Sequence, residues 1–261
     1  MEGIIKAVCI SEKRGTVKKN INEVNVIKDF GLEGDAHAGK WHRQVSFLSA
    51  DIVDEFNEKG ASVIEGDFGE NILAYGIDFK KLPVGTKLIC NDAKFEITQI
   101  GKECHSHCEI YKRVGDCIMP REGIFAKVLE SGTIKVGDKI EVIYPEKDMP
   151  YMAAVMTLSD KGSRGERVDT SGPRAAEILK EHGFKIVEEI ILPDEEAQIK
   201  KHLIRLSDSR QVDLIITTGG TGLSPRDRTP EATLAVADRN VPGISEAIRA
   251  GSMTITKRAM L

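Results

Sequence analysis

The chain has 261 residues, of which 30% are charged, and a formal net charge of −4. This length predicts about two domains with separate cores, and the acidic balance argues against a general nucleic-acid-binding protein. No apolar run is long enough to cross a membrane, and the first residues lack the pattern of a secretory signal peptide. Five cysteines in such a chain indicate reduced thiols, so we expect a cytoplasmic protein.

The first part of the chain, residues 1–145, has the pattern of an all-β domain. Short apolar segments separated by glycine turns predict strands at residues 4–10, 45–48, 87–90 and 94–100. A turn that leads into a strand occurs twice, at residues 84–88 and 136–140, as is common in β-barrels. One helix is predicted at about residues 50–59, with Ser49 as its N-cap.

The second part, residues 151–261, has a different pattern, and a short segment with two prolines near residues 144–150 separates the two. Strands are predicted at 152–158, 184–192 and 212–217, and helices at 173–182, 194–207 and 230–238. This alternation predicts an α/β domain of three layers, with a parallel sheet between helices. Ligands of such domains bind outside the carboxyl ends of the strands.

A glycine-rich loop follows the third of these strands. It contains Gly219, Gly220 and Gly222, and a helix start at Thr229-Pro230-Glu231 comes next. Glycines let backbone amides approach a ligand, and a helix N-terminus favours anions, so the segment predicts a phosphate site. The loop has neither the Walker A pattern nor the GxGxxG pattern.

Acidic residues follow the other two strands. Asp160 and Asp194 lie at strand ends and Asp227 lies in the glycine loop, so we expect all three to converge on one crevice. Each has a simpler alternative as a turn or cap residue, and Asp194 alone would be a helix cap. Thr229 is predicted as a cap, and Arg226 either neutralises ligand charge or forms a surface ion pair.

Several spaced motifs in this second part resemble one family. They are Leu158-Ser159-Asp160, Leu192-Pro193-Asp194-Glu195, the glycine loop with Pro225-Arg226-Asp227, and Val241-Pro242-Gly243. Together they resemble the MogA/MoaB-type molybdopterin-binding family over about residues 150–261. The resemblance implies an ATP- and Mg²⁺-dependent adenylylation of molybdopterin that releases pyrophosphate.

The same resemblance implies roles for individual residues. Asp194 and Asp227 would be catalytic and would bind Mg²⁺ or order the reacting phosphates. The cofactor-binding residues would be Gly219, Gly220, Thr221, Gly222, Ser224, Thr229, Ser159 and Asp160.

The resemblance also carries two expectations about the whole molecule. Family members continue beyond the segment that ends at Leu261 with a further strand and a pterin-binding loop, so we expect a C-terminally shortened domain. Relatives form trimers or hexamers, so we expect a homo-oligomer of three or more chains.

The first part resembles the MOSC domain, a β-barrel, over about residues 3–143. The resemblance lies in residues 31–39, with Asp35 and His37; in residues 66–72, with Glu70 and Asn71; and in Ile100-Gly101-Lys102-Glu103-Cys104. It implies that Cys104 carries sulfur or binds molybdenum, with a sulfur donor or a molybdoenzyme as partner. Asp35, His37 and His42 either line the pocket of Cys104 or are turn residues.

Three interpretations remain open for the segment Cys104-His105-Ser106-His107-Cys108. Cys104 carries a persulfide or binds molybdenum, or two cysteines and two histidines bind zinc with unfavourable spacing, or the cysteines are small core residues. The last interpretation fits Cys9 and Cys90, which lie in apolar strands.

The main hypothesis is an enzyme of molybdenum-cofactor biosynthesis with molybdopterin and ATP as substrates. The alternative from another class is a non-catalytic carrier of molybdopterin or of the molybdenum cofactor. A third is a zinc-stabilised interaction module. Neither nucleic acid nor a membrane is an expected partner.

Overall fold

A computed structural model describes residues 2–102, 111, 115–146 and 149–260. The chain divides into two compact units. The barrel unit runs to Met149 and includes Ser209–Gln211, and the α/β unit comprises Pro150–Asp208 and the residues from Val212 onward. No helix in the described part of the chain is both long enough and apolar enough to cross a membrane.

The barrel unit consists mainly of short strands. They are β1 (Glu2–Ile10), β2 (Lys19–Asn20), β3 (Glu23–Ile27), β4 (Gly31–Leu32), β5 (Val45–Ser49), β6 (Ile72–Tyr75), β7 (Lys87–Cys90), β8 (Ala93–Ile100), β9 (Ile124–Glu130), β10 (Gly132–Lys135) and β11 (Lys139–Ile143). Helices α1 (Ala50–Glu58) and α2 (Met119–Glu122) and a 3₁₀ turn (Phe79–Lys81) complete the elements described in this unit.

Seven of these strands close into a barrel. Their order is β11-β7-β8-β9-β5-β6-β1, and β1 pairs with β11 to complete the ring. All these pairs are antiparallel except β5–β6, the two strands that the segment with α1 connects. The remaining strands form an extension of β1 and a small sheet, β10-β3-β4. The predicted β-barrel is therefore confirmed.

Alternating burial explains why these segments form a barrel. In β3 and β11 every second residue is buried, as expected when one face of a strand is directed to a core. Phe47 lies in this core, with ring centroids 5.6 Å from Phe79 and 5.3 Å from Phe95. Ser49 occupies the predicted N-cap position of α1, but its side chain forms no capping hydrogen bond.

The α/β unit has three strands and five α-helices among its described residues. The strands are β12 (Met152–Leu158), β13 (Lys185–Leu192) and β14 (Leu214–Thr218). The helices are the single turn α3 (Asp160–Ser163) and the longer α4 (Ser171–Glu181), α5 (Glu196–Ile204), α6 (Thr229–Val236) and α7 (Pro242–Met253). A π-helical segment (Arg205–Ser209) follows α5, and a 3₁₀ turn (Lys257–Met260) follows α7.

The sheet of the α/β unit is parallel, as predicted. Its order is β13-β12-β14, so β12 is the central strand, and its residues 153–158 are buried. Because all three strands run in the same direction, their carboxyl ends lie at one edge. The segments that follow Leu158, Leu192 and Thr218 therefore meet at that edge.

Two helices differ from the prediction. The helix predicted from residue 194 begins at Glu196, because the Glu195 amide donates to the Pro193 carbonyl at 2.7 Å and forms a turn first. Helix α7 was not predicted, although Pro242 in its first turn is a known helix-start signal. None of the residues of α7 is buried.

Candidate functional site

Two of the predicted acids bind each other's backbone at the strand ends. The Asp160 amide donates to Asp194 Oδ2 at 3.0 Å, and the Asp194 amide donates to Asp160 Oδ1 at 3.1 Å. The Ser159 amide also donates to the Leu192 carbonyl at 2.8 Å. These reciprocal bonds hold the segments after β12 and β13 side by side, so Asp160 and Asp194 converge as predicted.

The glycine loop approaches these segments so closely that side chains are excluded. Gly219 has φ +92°, and a Cβ there would collide with the Leu158 carbonyl. Gly220 has φ +59°, and a Cβ there would collide with Thr229 Oγ1 and lie 2.8 Å from Asp194 Oδ1. Both positions therefore require glycine for conformation and for space.

Thr229 anchors the loop to α6. Its hydroxyl donates to the Gly219 carbonyl at 3.0 Å, and its amide donates to the Gly220 carbonyl at 3.1 Å. The predicted cap role is wrong, because Arg228 occupies the N-cap position and Thr229 is the first helical residue. Thr229 is 2% exposed, so it holds the loop in shape from the buried side.

The two predicted metal-binding acids lie against this loop. Asp194 Oδ1 is buried without a hydrogen-bond partner and is directed at Gly220. Asp227 Oδ2 accepts from the Ser224 amide at 3.0 Å and would lie 2.8 Å from a Cβ on Gly222. A buried carboxylate oxygen without a donor is costly, and a cation at the loop would compensate it.

Among the described residues no three His, Cys, Asp or Glu side chains are grouped closely enough to hold a metal ion by themselves. Mg²⁺ often uses only one or two protein carboxylates and completes its shell with water and substrate phosphates. Asp194 and Asp227 fit that mode of binding.

Arg226 forms ion pairs in the loop. Its Nε and Nη2 donate to the two oxygens of Asp160 at 3.1 and 2.8 Å, and its Nη1 donates to Glu195 Oε1 at 2.8 Å. The hydrogen bonds from Arg226, together with the Asp194 amide, hold the pKa of Asp160 below its usual value. Of the two interpretations of Arg226, the structure shows the ion pair.

The other predicted binding residues differ in their surroundings. Thr221, Gly222 and Ser224 are exposed residues of the loop. Ser159 instead uses its hydroxyl to accept the Gly162 amide at 3.0 Å as the N-cap of α3.

Asp169 has a structural role at the start of α4. It accepts from the Thr157 hydroxyl at 2.6 Å and from the Ser171 and Gly172 amides at 3.0 and 3.2 Å. Its carboxylate therefore joins the central strand β12 to the first turn of α4.

The barrel unit contains a buried ion pair. Lys18 Nζ donates to Asp35 Oδ2 at 2.8 Å, and the two side chains are 2% and 0% exposed. The Ser11 amide and Asn71 Nδ2 also donate to Asp35, at 3.1 and 3.2 Å. Burial by itself would raise the pKa of Asp35, but His37, Lys18 and the Ser11 amide hold it well below its usual range.

The Lys18 ammonium is also affected by burial. Burial lowers the pKa of Lys18, and the negative charge of Asp35 opposes this effect. The carboxylate has donors from several segments, so we regard Asp35 as the centre of the cluster. Sequence reasoning missed Lys18, because nothing local distinguishes it from the exposed Lys19.

Asn71 connects this cluster to two strands of the barrel. Its Nδ2 donates to the Cys9 carbonyl at 3.0 Å as well as to Asp35. Its Oδ1 accepts from the Ser46 amide at 3.1 Å and from the Ser46 hydroxyl at 3.0 Å. Asn71 therefore joins β1, β5 and the loop that carries Asp35.

Glu70, the neighbouring motif residue, is 1% exposed. Its Oε1 accepts from the Gly66 amide at 2.6 Å, whereas Oε2 is buried without a hydrogen-bond partner. Burial raises the pKa of Glu70 to about 7, despite the opposing effects of the Gly66 amide and Lys18.

His37 lies near this cluster, and His42 lies beside Gln99 of β8. His37 Nδ1 is 3.9 Å from Asp35 Oδ2, and His42 Nε2 is 3.0 Å from Gln99 Oε1. Gln99 in turn donates to the Gly101 carbonyl at 2.8 Å.

The predicted sulfur or molybdenum site lies outside the described residues, together with its alternatives. This applies to Cys104, His105, His107 and Cys108. Cys9 and Cys90 are buried as predicted, and burial raises the pKa of each thiol to about 12. Both are therefore neutral core residues at physiological pH.

Two family models match the chain. The model described as a probable molybdopterin binding domain matches residues 154–261, and the MOSC domain model matches residues 34–141. The first match falls in the α/β unit apart from Ser209–Gln211, and the second falls in the barrel unit.

Curated relatives and solved structures resemble the α/β unit. The molybdopterin adenylyltransferases of Helicobacter pylori strain J99 and Escherichia coli strain K12 are each 40% identical, over 109 and 110 residues. These regions are 41% of this chain in both cases, and 62% and 56% of the relatives, so the chain spans only part of their length.

A solved structure of the molybdopterin biosynthesis enzyme MoaB from Thermus thermophilus is 45% identical. The similarity covers 42% of this chain and 70% of that chain, with a TM-score of 0.41. By these family models the chain carries two domains, a MOSC domain over residues 34–141 and a probable molybdopterin binding domain over residues 154–261.

Proposed function

We propose that the α/β unit adenylylates molybdopterin in an ATP- and Mg²⁺-dependent step of molybdenum-cofactor biosynthesis. The observation that carries the proposal is the unpartnered Asp194 oxygen directed at Gly220 of the loop that also holds Asp227. The names of the curated relatives support the choice of molybdopterin and of adenylyl transfer.

In this reaction a phosphate oxygen of molybdopterin attacks the α-phosphorus of ATP. The new P–O bond forms while the bond between the α-phosphorus and the bridging oxygen breaks, and pyrophosphate leaves with that electron pair. Both reactants are anions, so the protein must position them and compensate their charge.

The residues of the glycine loop can meet these requirements. Thr221, Gly222 and Ser224 are exposed, and the amides of the first two and the Ser224 hydroxyl would donate to phosphate oxygens, next to the N-terminus of α6. Asp194 and Asp227 would hold Mg²⁺, which would stabilise negative charge on the reacting phosphates.

For the barrel unit we propose sulfur transfer or molybdenum handling through Cys104, with a sulfur donor or a molybdoenzyme as partner. The support is the MOSC match together with the second molybdopterin-related domain in the same chain. We also propose that the protein forms a homo-oligomer of three or more chains.

Mass spectrometry tests the main proposal. The purified chain is incubated with molybdopterin, ATP and MgCl₂, and adenylylated molybdopterin is quantified. We expect product from the wild type and a decrease of about 100-fold or more for Asp227→Asn and for Asp194→Asn, because each removes a charged Mg²⁺ ligand.

The same samples separate the enzyme from a carrier. A carrier would retain molybdopterin without forming product, and Mg²⁺ with ATP would not raise its melting temperature. Product that is unchanged in both aspartate variants would contradict the assigned site.

A further inference from the structure

We propose that Arg226 is a polyphosphate-binding residue which the carboxylates of Asp160 and Glu195 occupy until the ligand arrives. This inference rests on the proposed function and assigns the nucleotide's phosphate tail to one side chain. We call Arg226 with its two carboxylate partners the Arg226 latch.

The latch spans all three segments that meet at the carboxyl edge of the sheet. Arg226 lies in the glycine loop after β14, Asp160 follows β12, and Glu195 follows β13. The guanidinium contacts both carboxylates at once, Asp160 through Nε and Nη2 and Glu195 through Nη1. The positive charge is thus placed where the ligand is expected, two residues beyond Ser224 and next to Asp227.

The geometry favours a polyphosphate over a single phosphate. A guanidinium is a planar fork that binds carboxylates and phosphates in the same way. Arg226 is bound to two separate anionic groups, and two adjacent phosphates of one chain can replace both of them. A monophosphate can replace only one.

The exchange requires little reorganisation. The side chains of Arg226, Asp160 and Glu195 are 51%, 29% and 49% exposed, and ion pairs exposed to this degree contribute little to stability. The backbone of the loop is held independently, because the Asp227 amide donates to the Ser224 carbonyl at 2.9 Å.

Release of Arg226 would also leave the crevice intact. Asp160 Oδ1 still accepts the Asp194 amide, and Asp194 Oδ2 still accepts the Asp160 amide. Only the arginine side chain has to move, so the two acidic segments stay in place while the Arg226 guanidinium turns to the ligand.

Isothermal titration calorimetry with inorganic tripolyphosphate and MgCl₂ tests the latch. We expect Arg226→Gln to weaken binding about tenfold or more, and Arg226→Lys to weaken it less, because lysine keeps the charge but not the fork. Glu195→Gln should strengthen binding about threefold, since it removes a competitor for Arg226.

A double mutant distinguishes competition from a general effect of charge. If Glu195 acts through Arg226, Glu195→Gln has no effect on binding in the Arg226→Gln background. The matched control is Arg174→Gln on α4, which removes another exposed arginine paired with a glutamate and should change binding by less than about twofold.

Three results would overturn the latch. The first is tripolyphosphate binding by Arg226→Gln as tight as by the wild type, and the second is equal strengthening by Glu195→Gln with Arg226 present and with Arg226→Gln. The third is the same pattern of affinities for inorganic phosphate as for tripolyphosphate. The adenylylation assay separates these failures from failure of the proposed function. Product without any dependence of tripolyphosphate binding on Arg226 would refute the latch alone. Arg226-dependent binding without product would refute the proposed function alone.

Discussion

In the barrel unit Lys18 and Asp35 form an ion pair with side chains 2% and 0% exposed, whereas Arg226 and Asp160 of the α/β unit are 51% and 29% exposed. Both acids belong to motifs by which their domains are recognised. Asp35 has backbone and side-chain donors besides its cation. Asp160 has one backbone donor and is otherwise bound by the arginine.

The difference separates motif residues that maintain a fold from motif residues whose ion-pair partner a ligand could replace. A buried pair cannot exchange its partner without leaving a charge desolvated, so Lys18 and Asp35 hold the barrel's loops together. An exposed pair exchanges its partner at little cost. We therefore regard Asp35, Glu70 and Asn71 as residues that support the barrel, in contrast to the binding role that we propose for Arg226.

The largest expected effect on stability comes from breaking the buried ion pair between Lys18 and Asp35. Asp35→Asn leaves the Lys18 ammonium buried without a carboxylate, which should lower the free energy of unfolding of the barrel unit by about 3–5 kcal/mol. Trp41 is the only tryptophan and lies in the barrel unit, so its fluorescence in urea measures this change.

The control for that substitution is an exposed pair in the same unit. Glu2→Gln breaks the Lys139–Glu2 pair, whose side chains are 72% and 62% exposed, and should change the free energy of unfolding by less than about 1 kcal/mol. Equal effects of the two substitutions would show that burial does not distinguish the pairs.

The next largest effect is the change in the stability of the barrel unit with pH that Glu70 causes. The folded state keeps Glu70 protonated up to pH about 7, whereas the unfolded chain releases this proton near pH 4.5. The unfolded state therefore binds fewer protons between these values, and the stability contribution of Glu70 falls as pH rises through this window, by about 3 kcal/mol in total.

Glu70→Gln should remove this decrease. Urea unfolding followed by Trp41 fluorescence should show that the wild-type barrel loses about 3 kcal/mol more than the variant as pH rises through the window. The Asp35 contribution is lost only below its unfolded pKa of 3.8, so it does not interfere. Identical pH profiles would show that Glu70 is charged in the folded barrel.

A smaller effect on stability is expected in the glycine loop. Gly220→Ala combines a left-handed backbone with collisions at Thr229 and Asp194, and should cost about 2–3 kcal/mol and abolish adenylylation. Gly165→Ala is the matched control, because Gly165 has φ +73° and no atoms within 4 Å of its Cβ position.

The control should cost about 1 kcal/mol and leave activity unchanged. Hydrogen exchange of the α/β unit measures both costs without interference from the barrel. If the two substitutions were equally destabilising and equally active, the close approach at Gly220 would not matter for the site.

The smallest effect is predicted for the anchor of the loop. Thr229→Val removes the hydrogen bond to the Gly219 carbonyl and should destabilise the α/β unit by about 1 kcal/mol, whereas Thr229→Ser should retain most of it. Faster exchange of the amides near residues 219–221 in the valine variant only would confirm the anchor. Equal exchange in both variants would contradict it.

Much of the α/β site was predictable because its signals are local. Three glycines after a strand, followed by Thr229-Pro230-Glu231, restrict the backbone within a few residues. Periodicity likewise predicted the three parallel strands and the helix α1. The start of α5 and the existence of α7 were not predicted, because a turn at residues 193–195 and an exposed helix leave weak signals.

The partners of the charged residues were not predictable in this way. Arg226 and Asp160 are 66 positions apart in sequence, and Lys18 and Asp35 are 17 apart. The sequence by itself determined the two families, the order of most strands and helices, and the glycine positions, since these depend on short-range geometry. Only the tertiary structure decided which carboxylate each cation binds and how deeply the pair is buried, because both depend on segments brought together by the closed barrel and the parallel sheet.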